Sequence, residues 1–283
     1  MLVDYHVHTE FSDDSNYEME QVVQDATALG INELCFTDHV DYGIKRDWDD
    51  PRGIERRKGT GGELELMYLA NVDYPRYFEK FQFLRERYWG KIQLKFGLEF
   101  GVQVHTIPQF QTLFAKYPFD FIILSIHQVE DKEFWNQRFQ ENRTQQEFNE
   151  RYYKEMFDVI KNYKSYSVLG HLDLIVRYDK LGTCPFKKIE PFVAEILKMV
   201  IADGKGIEIN TSSFRYGLRD LTPSRNILRL YKDLGGKILT IGSDCHKKEH
   251  LGSRIVEIRE ELKRLGFNEF CTFDKMKPSF HSL

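Results

Sequence analysis

Four cysteines in 283 residues, at positions 35, 184, 245 and 271, never fall as Cys-x-x-Cys. Their scatter excludes a disulfide framework and a thiolate zinc site, and reduced thiols in a cytoplasmic protein are the expectation. Long apolar runs are missing as well. The longest, near Phe119–Ile126, is far short of the roughly 20 residues that span a bilayer. No basic segment followed by an apolar stretch opens the sequence, so no signal peptide is read. An excess of one charge is absent too. Forty basic residues against 44 acidic ones leave a net charge of −4, which gives no electrostatic footprint for nucleic acid or membrane. Internal repeats and low-complexity tracts are not seen. What is present is an ordinary globular composition, 41% hydrophobic with 19 glycines, which excludes wholesale disorder. The length allows two domains or one large α/β domain.

Strand and helix patterns alternate along the chain. Short apolar runs predict strands at Leu2–His6, Glu33–Thr37, Ile92–Leu98, Phe119–Ser125, Ser167–Leu169, Gly206–Ile209 and Lys237–Ile241. Between them lie helical patterns. Ser15-x-x-Glu18 and Thr144-x-x-Glu147 read as capping boxes that open two of them. Phe192–Ala202 and Val256–Leu265 read as helices, and Thr222-Pro223 as a cap with proline at the first helical position. Repeated βα units imply a parallel sheet, either a barrel or a doubly wound layer. Residues 41–75 break the rhythm. They are polar and aromatic, with Gly53, Gly59, Gly61 and Gly62, and read as a functional or disordered insert.

The histidines gather at strand ends. His6 and His8 close the first strand, His39 follows the second, His127 the fourth, His171 the fifth and His246 the seventh. Glu99 ends the third strand, and Asp244 stands two residues before His246. In a parallel α/β fold the C-terminal strand ends share one face, which carries the active site. A lone histidine at such a place is most often a hydrogen-bonded loop residue. Six together with two carboxylates would be costly without a metal to neutralise them. Imidazole and carboxylate suit Zn, Fe or Mn. The ligand count exceeds that of one zinc, so the site reads as multinuclear. Such a site acidifies water, and the chemistry it points to is hydrolysis, above all of a phosphate ester.

The segment Asp4-Tyr5-His6-Val7-His8-Thr9 followed by Phe11-Ser12-Asp13-Asp14 resembles the first motif of the PHP (polymerase and histidinol phosphatase) family. Thr37-Asp38-His39, Gly97-Leu98-Glu99, Ser125-Ile126-His127, Gly170-His171-Leu172-Asp173 and Asp244-Cys245-His246 resemble its later motifs, in order. The stretch Gly97–His105, as G-x-E-x-G-x-Q-x-H, is similar to the histidinol-phosphatase branch. The resemblance implies a distorted (β/α)7 barrel, here one domain over residues 1–283, and the insert at about 41–75 is expected to lie over its rim as a substrate-side lid. It implies three divalent transition-metal ions. One would take His6, His8, Glu99 and Asp244. The second would share Glu99 with His127 and His171. The third would take His39, His246 and a side chain of the first motif, with Asp14 preferred over Asp13. The implied reaction is hydrolysis of L-histidinol phosphate in histidine biosynthesis. A hydroxide bridging the first two metals would attack phosphorus, with Glu99, Asp244 and His246 as the catalytic set.

Arg177 and Arg215 follow strands on the same side and are candidate phosphate clamps. His105 is a candidate substrate contact or ligand-orienting residue. Asp38 and Asp173 are expected to fix histidine tautomers, and Cys245 to lie in the core. The insert offers Asp41, Asp47, Asp49, Asp50, Tyr42 and Trp48 to the ammonium and imidazole of histidinol. Three other readings remain open: a PHP phosphoesterase acting on nucleotides or other small phosphates, an amidohydrolase-like barrel, and a non-catalytic metal-stabilised accessory domain. Oligomeric state is not readable.

Overall fold

The computed structural model describes residues 1–52, 54–58, 64–68 and 70–283. Its first half runs β1 (Val3–Val7), α1 (Met19–Ala28), β2 (Glu33–Phe36), β3 (His39–Val40), β4 (Ile54–Lys58), β5 (Leu64–Tyr68), α2 (Tyr74–Arg87), β6 (Gln93–Gly101) and α3 (Ile107–Lys116). It continues through β7 (Phe121–Ser125), β8 (Gln128–Val129), β9 (Lys132–Glu133), α4 (Gln145–Asn162), β10 (Val168–Leu169), α5 (Phe186–Ala202) and β11 (Gly206–Asn210). Then come α6 (Arg225–Asp233), β12 (Leu239–Gly242), α7 (Ile255–Arg264), β13 (Glu269–Asp274) and β14 (Lys277–Ser282).

Seven parallel strands lie side by side in the order β1-β2-β6-β7-β10-β11-β12, and each is followed by a helix. Every residue of β1, β2, β7, β11 and β12 is buried, as strands covered on both faces must be. The sheet closes on itself. Val7 pairs with Cys245 just past β12, the His8 amide donates to the Cys245 carbonyl at 2.8 Å, and the Cys245 amide to that of His6 at 3.1 Å. The result is a distorted (β/α)7 barrel whose strands are those that the apolar runs predict. Cys245 is buried, as expected.

The opposite, N-terminal mouth is shut by the antiparallel hairpin β13–β14, which strand and helix periodicity did not reveal. Phe273 packs on Phe121, its amide donates to the Tyr5 hydroxyl at 2.7 Å, and the Lys275 amide donates to Asp120 at 3.1 Å. Helices α2 and α3 also escape the sequence reading, and α2 begins inside the 41–75 insert.

Three local expectations need correction. Ser15 does not cap α1: its hydroxyl donates to the His246 carbonyl at 2.9 Å, and Glu10 takes the Met19 amide at 2.6 Å. Thr222-Pro223 does not open α6, because Asn210 and Asp173 draw residues 222–224 into bonds with the barrel and Ser224 becomes the cap. The α5 helix starts at Phe186, ahead of Pro191, which it accommodates internally. The Thr144 box forms as expected. In the insert, β4 and β5 pair antiparallel, while Gly53, Gly59, Gly61 and Gly62 lie outside the described residues. Among the described residues no helix is long and apolar enough to cross a membrane.

Candidate metal centre

Every strand-end histidine of the sequence pattern, with Glu99, Asp244 and Asp14, arrives at one place. They meet at the C-terminal end of the barrel, around a cavity of about 330 Å³ that Arg177, Tyr178, Tyr216, Asp41 and Lys45 also line. Glu99 is the hub. Its Oε1 lies 2.8 Å from His171 Nε2 and 3.1 Å from His127 Nε2. Its Oε2 lies 3.1 Å from both His6 Nε2 and His39 Nδ1. Asp244 Oδ1 is 3.6 Å from His8 Nε2 and 3.8 Å from His6 Nε2. Asp14 Oδ2 stands 3.1 Å from His246 Nε2 and 3.4 Å from His39 Nε2. Asp13 instead turns to Lys45, at 2.7 Å.

The backbone is held to present these groups. Asp244 sits at φ 55°, a left-handed conformation that a residue other than glycine keeps only when its surroundings impose it. Arg215 supplies part of that hold by donating to the Ser243 and Asp244 carbonyls at 3.1 and 2.8 Å. His8 is stacked between His39 and His246, with ring centroids 4.2 and 4.1 Å away.

Charge in the cluster is unevenly shared. Burial opposes charge on His6, but Glu208 and Glu99 outweigh it and hold the imidazole well above its usual pKa. Burial is likewise overcome at His39 by Asp14 and Glu99. At His127, Glu99 and Asp41 push it up to about 9. His8 goes the other way: burial, with His246 and His39 beside it, keeps it neutral. Burial raises Glu99 and Asp244, yet the surrounding imidazoles hold both well below the carboxylate range.

The donors fit divalent metal. Among the described residues, His8 Nε2, His39 Nδ1 and His171 Nδ1 are buried with no hydrogen-bond partner. His6, His8 and Asp244 each offer a donor atom within 4.8 Å of the others, as do His39, Glu99 and His127, and His8, His39 and His246. Nitrogen and carboxylate donors packed so closely suit Zn, Fe or Mn.

The groups that orient these histidines differ from those expected. Asp38 accepts from the Thr9 amide and hydroxyl and the Ser12 hydroxyl, and Asp173 from the Ser224 amide. Among the described residues neither bonds a histidine ring: the Asp38 oxygens are taken by donors of the Thr9–Ser12 loop, and Asp173 faces the segment that opens α6. The ring partners are Glu208, which takes His6 Nδ1–H, and Asp41, which takes His127 Nδ1–H at 2.7 Å. Glu208 was legible in principle, as a carboxylate in the middle of the buried strand Gly-Ile-Glu-Ile-Asn.

Arg177 lines the cavity, donating to Ser212 Oγ at 2.9 Å and standing 3.5 Å from Asp244 Oδ2. Arg215 and His105 do not line it. His105 is 54% exposed and bonded to Asp131 at 3.0 Å. Of the insert residues offered to substrate, only Asp41 reaches the cavity. Asp47 holds the Tyr74 hydroxyl, Asp50 holds Arg52, and the Tyr42 hydroxyl meets that of Tyr74.

Known proteins resemble this chain over nearly its whole length. The chain is 30% identical to the histidinol-phosphatase of Lactococcus lactis over 97% of its own length and 95% of the relative's. It is 29% identical to a Thermotoga maritima protein named as a probable histidinol-phosphatase, over 98% and 97%. The crystal structure of the Lactococcus lactis histidinol phosphate phosphatase, complexed with zinc, L-histidinol and phosphate, superposes with a TM-score of 0.81 over 98% of each chain. The PHP domain model matches residues 4–212. This chain therefore belongs to the PHP domain family.

Proposed function

We infer that the chain is a metal-dependent phosphomonoesterase that hydrolyses L-histidinol phosphate to L-histidinol and phosphate. The observation that carries this is the crowding of six histidines, Asp14 and Asp244 about Glu99, beside a cavity with an arginine at its wall. His6, His8, Glu99 and Asp244 would hold one ion, Glu99, His127 and His171 a second, and Asp14, His39 and His246 a third. Divalent ions held there supply an acidified water and offset charge on phosphoryl oxygens. The likeness to a relative that binds zinc, histidinol and phosphate supports the substrate.

The chain's own residues do the rest. Arg177 presents its guanidinium to the phosphate, a planar fork matched to phosphoryl oxygens, and Tyr216, 3.8 Å from it, braces its face. Arg215 holds the Asp244 main chain and keeps that carboxylate aimed at His6 and His8. Glu208 and Asp41 accept the Nδ1–H of His6 and His127, leaving each Nε2 lone pair turned inward. The Asp41–Lys45 turn forms the insert's contribution to the cavity wall, in keeping with a substrate-side role for residues 41–75. His105, outside the cavity, serves as a support to Asp131.

Steady-state phosphate release after reconstitution with Mn, Fe or Zn tests this reading. L-Histidinol phosphate is compared with a nucleotide panel and p-nitrophenyl phosphate. The expected result is a kcat/KM for histidinol phosphate at least about 100-fold above the others. Equal weak rates on all would overturn the substrate. No metal-dependent release would overturn the enzyme in favour of a scaffold.

A further inference from the structure

Beyond β3 the chain turns back at once. The amides of Ile44 and Lys45 both donate to the Asp41 carbonyl, at 3.3 and 2.8 Å. Gln103, just after β6, pins this turn. Its Nε2 donates to the Tyr42 carbonyl at 3.3 Å and to Asp131 Oδ1 at 2.7 Å, and its Oε1 accepts the Asp131 amide at 2.9 Å. Gly43 crosses close beside it at φ +96°, where a Cβ would stand 2.7 Å from Gln103 Nε2. Gly101 clears the other approach: a Cβ there would run into the Asp41 carboxylate and lie 2.8 Å from His127 Nδ1. Gly101, Gln103 and His105 therefore do not meet the cavity. They seat the turn.

What the turn delivers is Asp41 and Lys45. Lys45 Nζ reaches Asp41 Oδ2 at 3.0 Å and Asp13 Oδ1 at 2.7 Å, and all three side chains are nearly buried. The other Asp41 oxygen holds His127, and Asp13 is the chain neighbour of Asp14. The path His127, Asp41, Lys45, Asp13, Asp14 thus joins the second donor set to the third without passing through Glu99. Asp41 and Asp13 left without a cation between them would repel each other, straining the Asp41–His127 bond and freeing Asp13 to swing toward the ions as a competing ligand. A compact ammonium with three donors can bridge two separate carboxylates, where a planar guanidinium is built for one.

We propose that Lys45 is a positioning residue of the metal centre. It ties the carboxylate that orients His127 to the loop that presents Asp14, and so keeps the second and third ion positions in register while touching no ion itself. This rests on the three-ion reading above, and its test is read from ion binding as well as turnover.

The chain and its Lys45→Met variant are stripped of metal, titrated calorimetrically with Zn²⁺, and assayed for bound zinc after dialysis. The variant is expected to retain fewer ions than the parent, with affinity for the weakest ion about 10–100-fold lower. Its kcat for histidinol phosphate should fall with little change in KM. Asp13→Asn breaks the same path at its other end and leaves the Asp41–His127 pair in place, so it guards against a Lys45 variant that fails to fold. It should weaken ion binding similarly, and the double variant should bind no more weakly than Lys45→Met alone, since both cut one link. Full ion content at parental affinity in Lys45→Met overturns the proposal. So do additive losses in the double variant, and so does a raised KM with unchanged ion affinity, which would place Lys45 on the substrate. A parent chain that takes up no zinc would instead overturn the metal centre itself.

Discussion

Replacing Glu208 with glutamine is the sharpest probe of the barrel floor beneath the metal centre. Glu208 is fully buried, and its two oxygens accept two donors, His6 Nδ1–H and the His171 amide at 2.9 Å. Glutamine keeps the shape but has one acceptor. With its oxygen toward the His171 amide, its NH₂ faces His6 Nδ1, and the ring must move its proton to Nε2. That occupies the Nε2 lone pair with which His6 would bind an ion. With the amide flipped, His6 keeps its tautomer, but two N–H donors meet at His171. A buried unsatisfied donor costs about 1–3 kcal/mol. At about 2–4 °C per kcal/mol for a chain of this size class, the metal-free variant should melt roughly 2–12 °C lower. Loss of an outer-shell carboxylate should also weaken ion binding about 10–100-fold. Differential scanning calorimetry of the metal-free protein and zinc titration at pH 7 measure the two effects separately. A Glu208→Gln variant that melts with the parent and binds zinc with parental affinity would refute the tautomer argument, whatever its activity.

Ion uptake at pH 7 should release protons, because the metal-free cluster holds His127 up to about 9 and His6 and His39 well above their usual values. The stability His127 lends the metal-free chain is full below its ordinary pKa of 6.5 and lost as pH rises through about 9, so the gain in melting temperature on adding zinc should grow across that window. Calorimetry in buffers of different ionisation enthalpy checks this, and identical heats in all buffers would exclude it. Gly101→Ala should push Asp41 off His127 and forfeit a charge-assisted hydrogen bond of roughly 1.5–3 kcal/mol, read as a lower melting temperature together with weaker zinc binding. Arg177→Met should lower kcat/KM for histidinol phosphate by roughly 10–100-fold while leaving zinc content unchanged. An unchanged kcat/KM would remove Arg177 from the phosphate.

The barrel was legible because its strands are buried on both faces and stand out as uninterrupted apolar runs, such as Phe121–Ser125. The histidines were legible for a related reason: βα order alone puts strand ends on one rim, so His6, His127 and His246 meet whatever the helices do. The expected partners Asp38 and Asp173 failed because nearness in sequence says nothing about which donors a loop will consume. Glu208 and Asp41 reach His6 and His127 across 202 and 86 positions of sequence, respectively. Such pairings belong to the closed barrel and have no local signature. The C-terminal hairpin was hidden for another reason. Its outer strand Lys277–Ser282 is largely exposed, so it carries little of the apolar patterning by which the barrel strands were read.

Closure through residues far apart in the chain also sets an order of events in time. The first strand gains its second neighbour only at Cys245, and Tyr5 meets Phe273 across 268 positions. A ribosome-bound chain therefore carries β1 with one edge open through most of its synthesis, a template for unwanted pairing. His6 and His8, the earliest of the proposed ligands in the sequence, wait for Asp244 and His246. Until those emerge, neither the first nor the third donor set exists in full. On the three-ion reading, capture of the ions would thus be a late step in the life of each molecule, and a chain holding them all would already have brought its two ends of the barrel together.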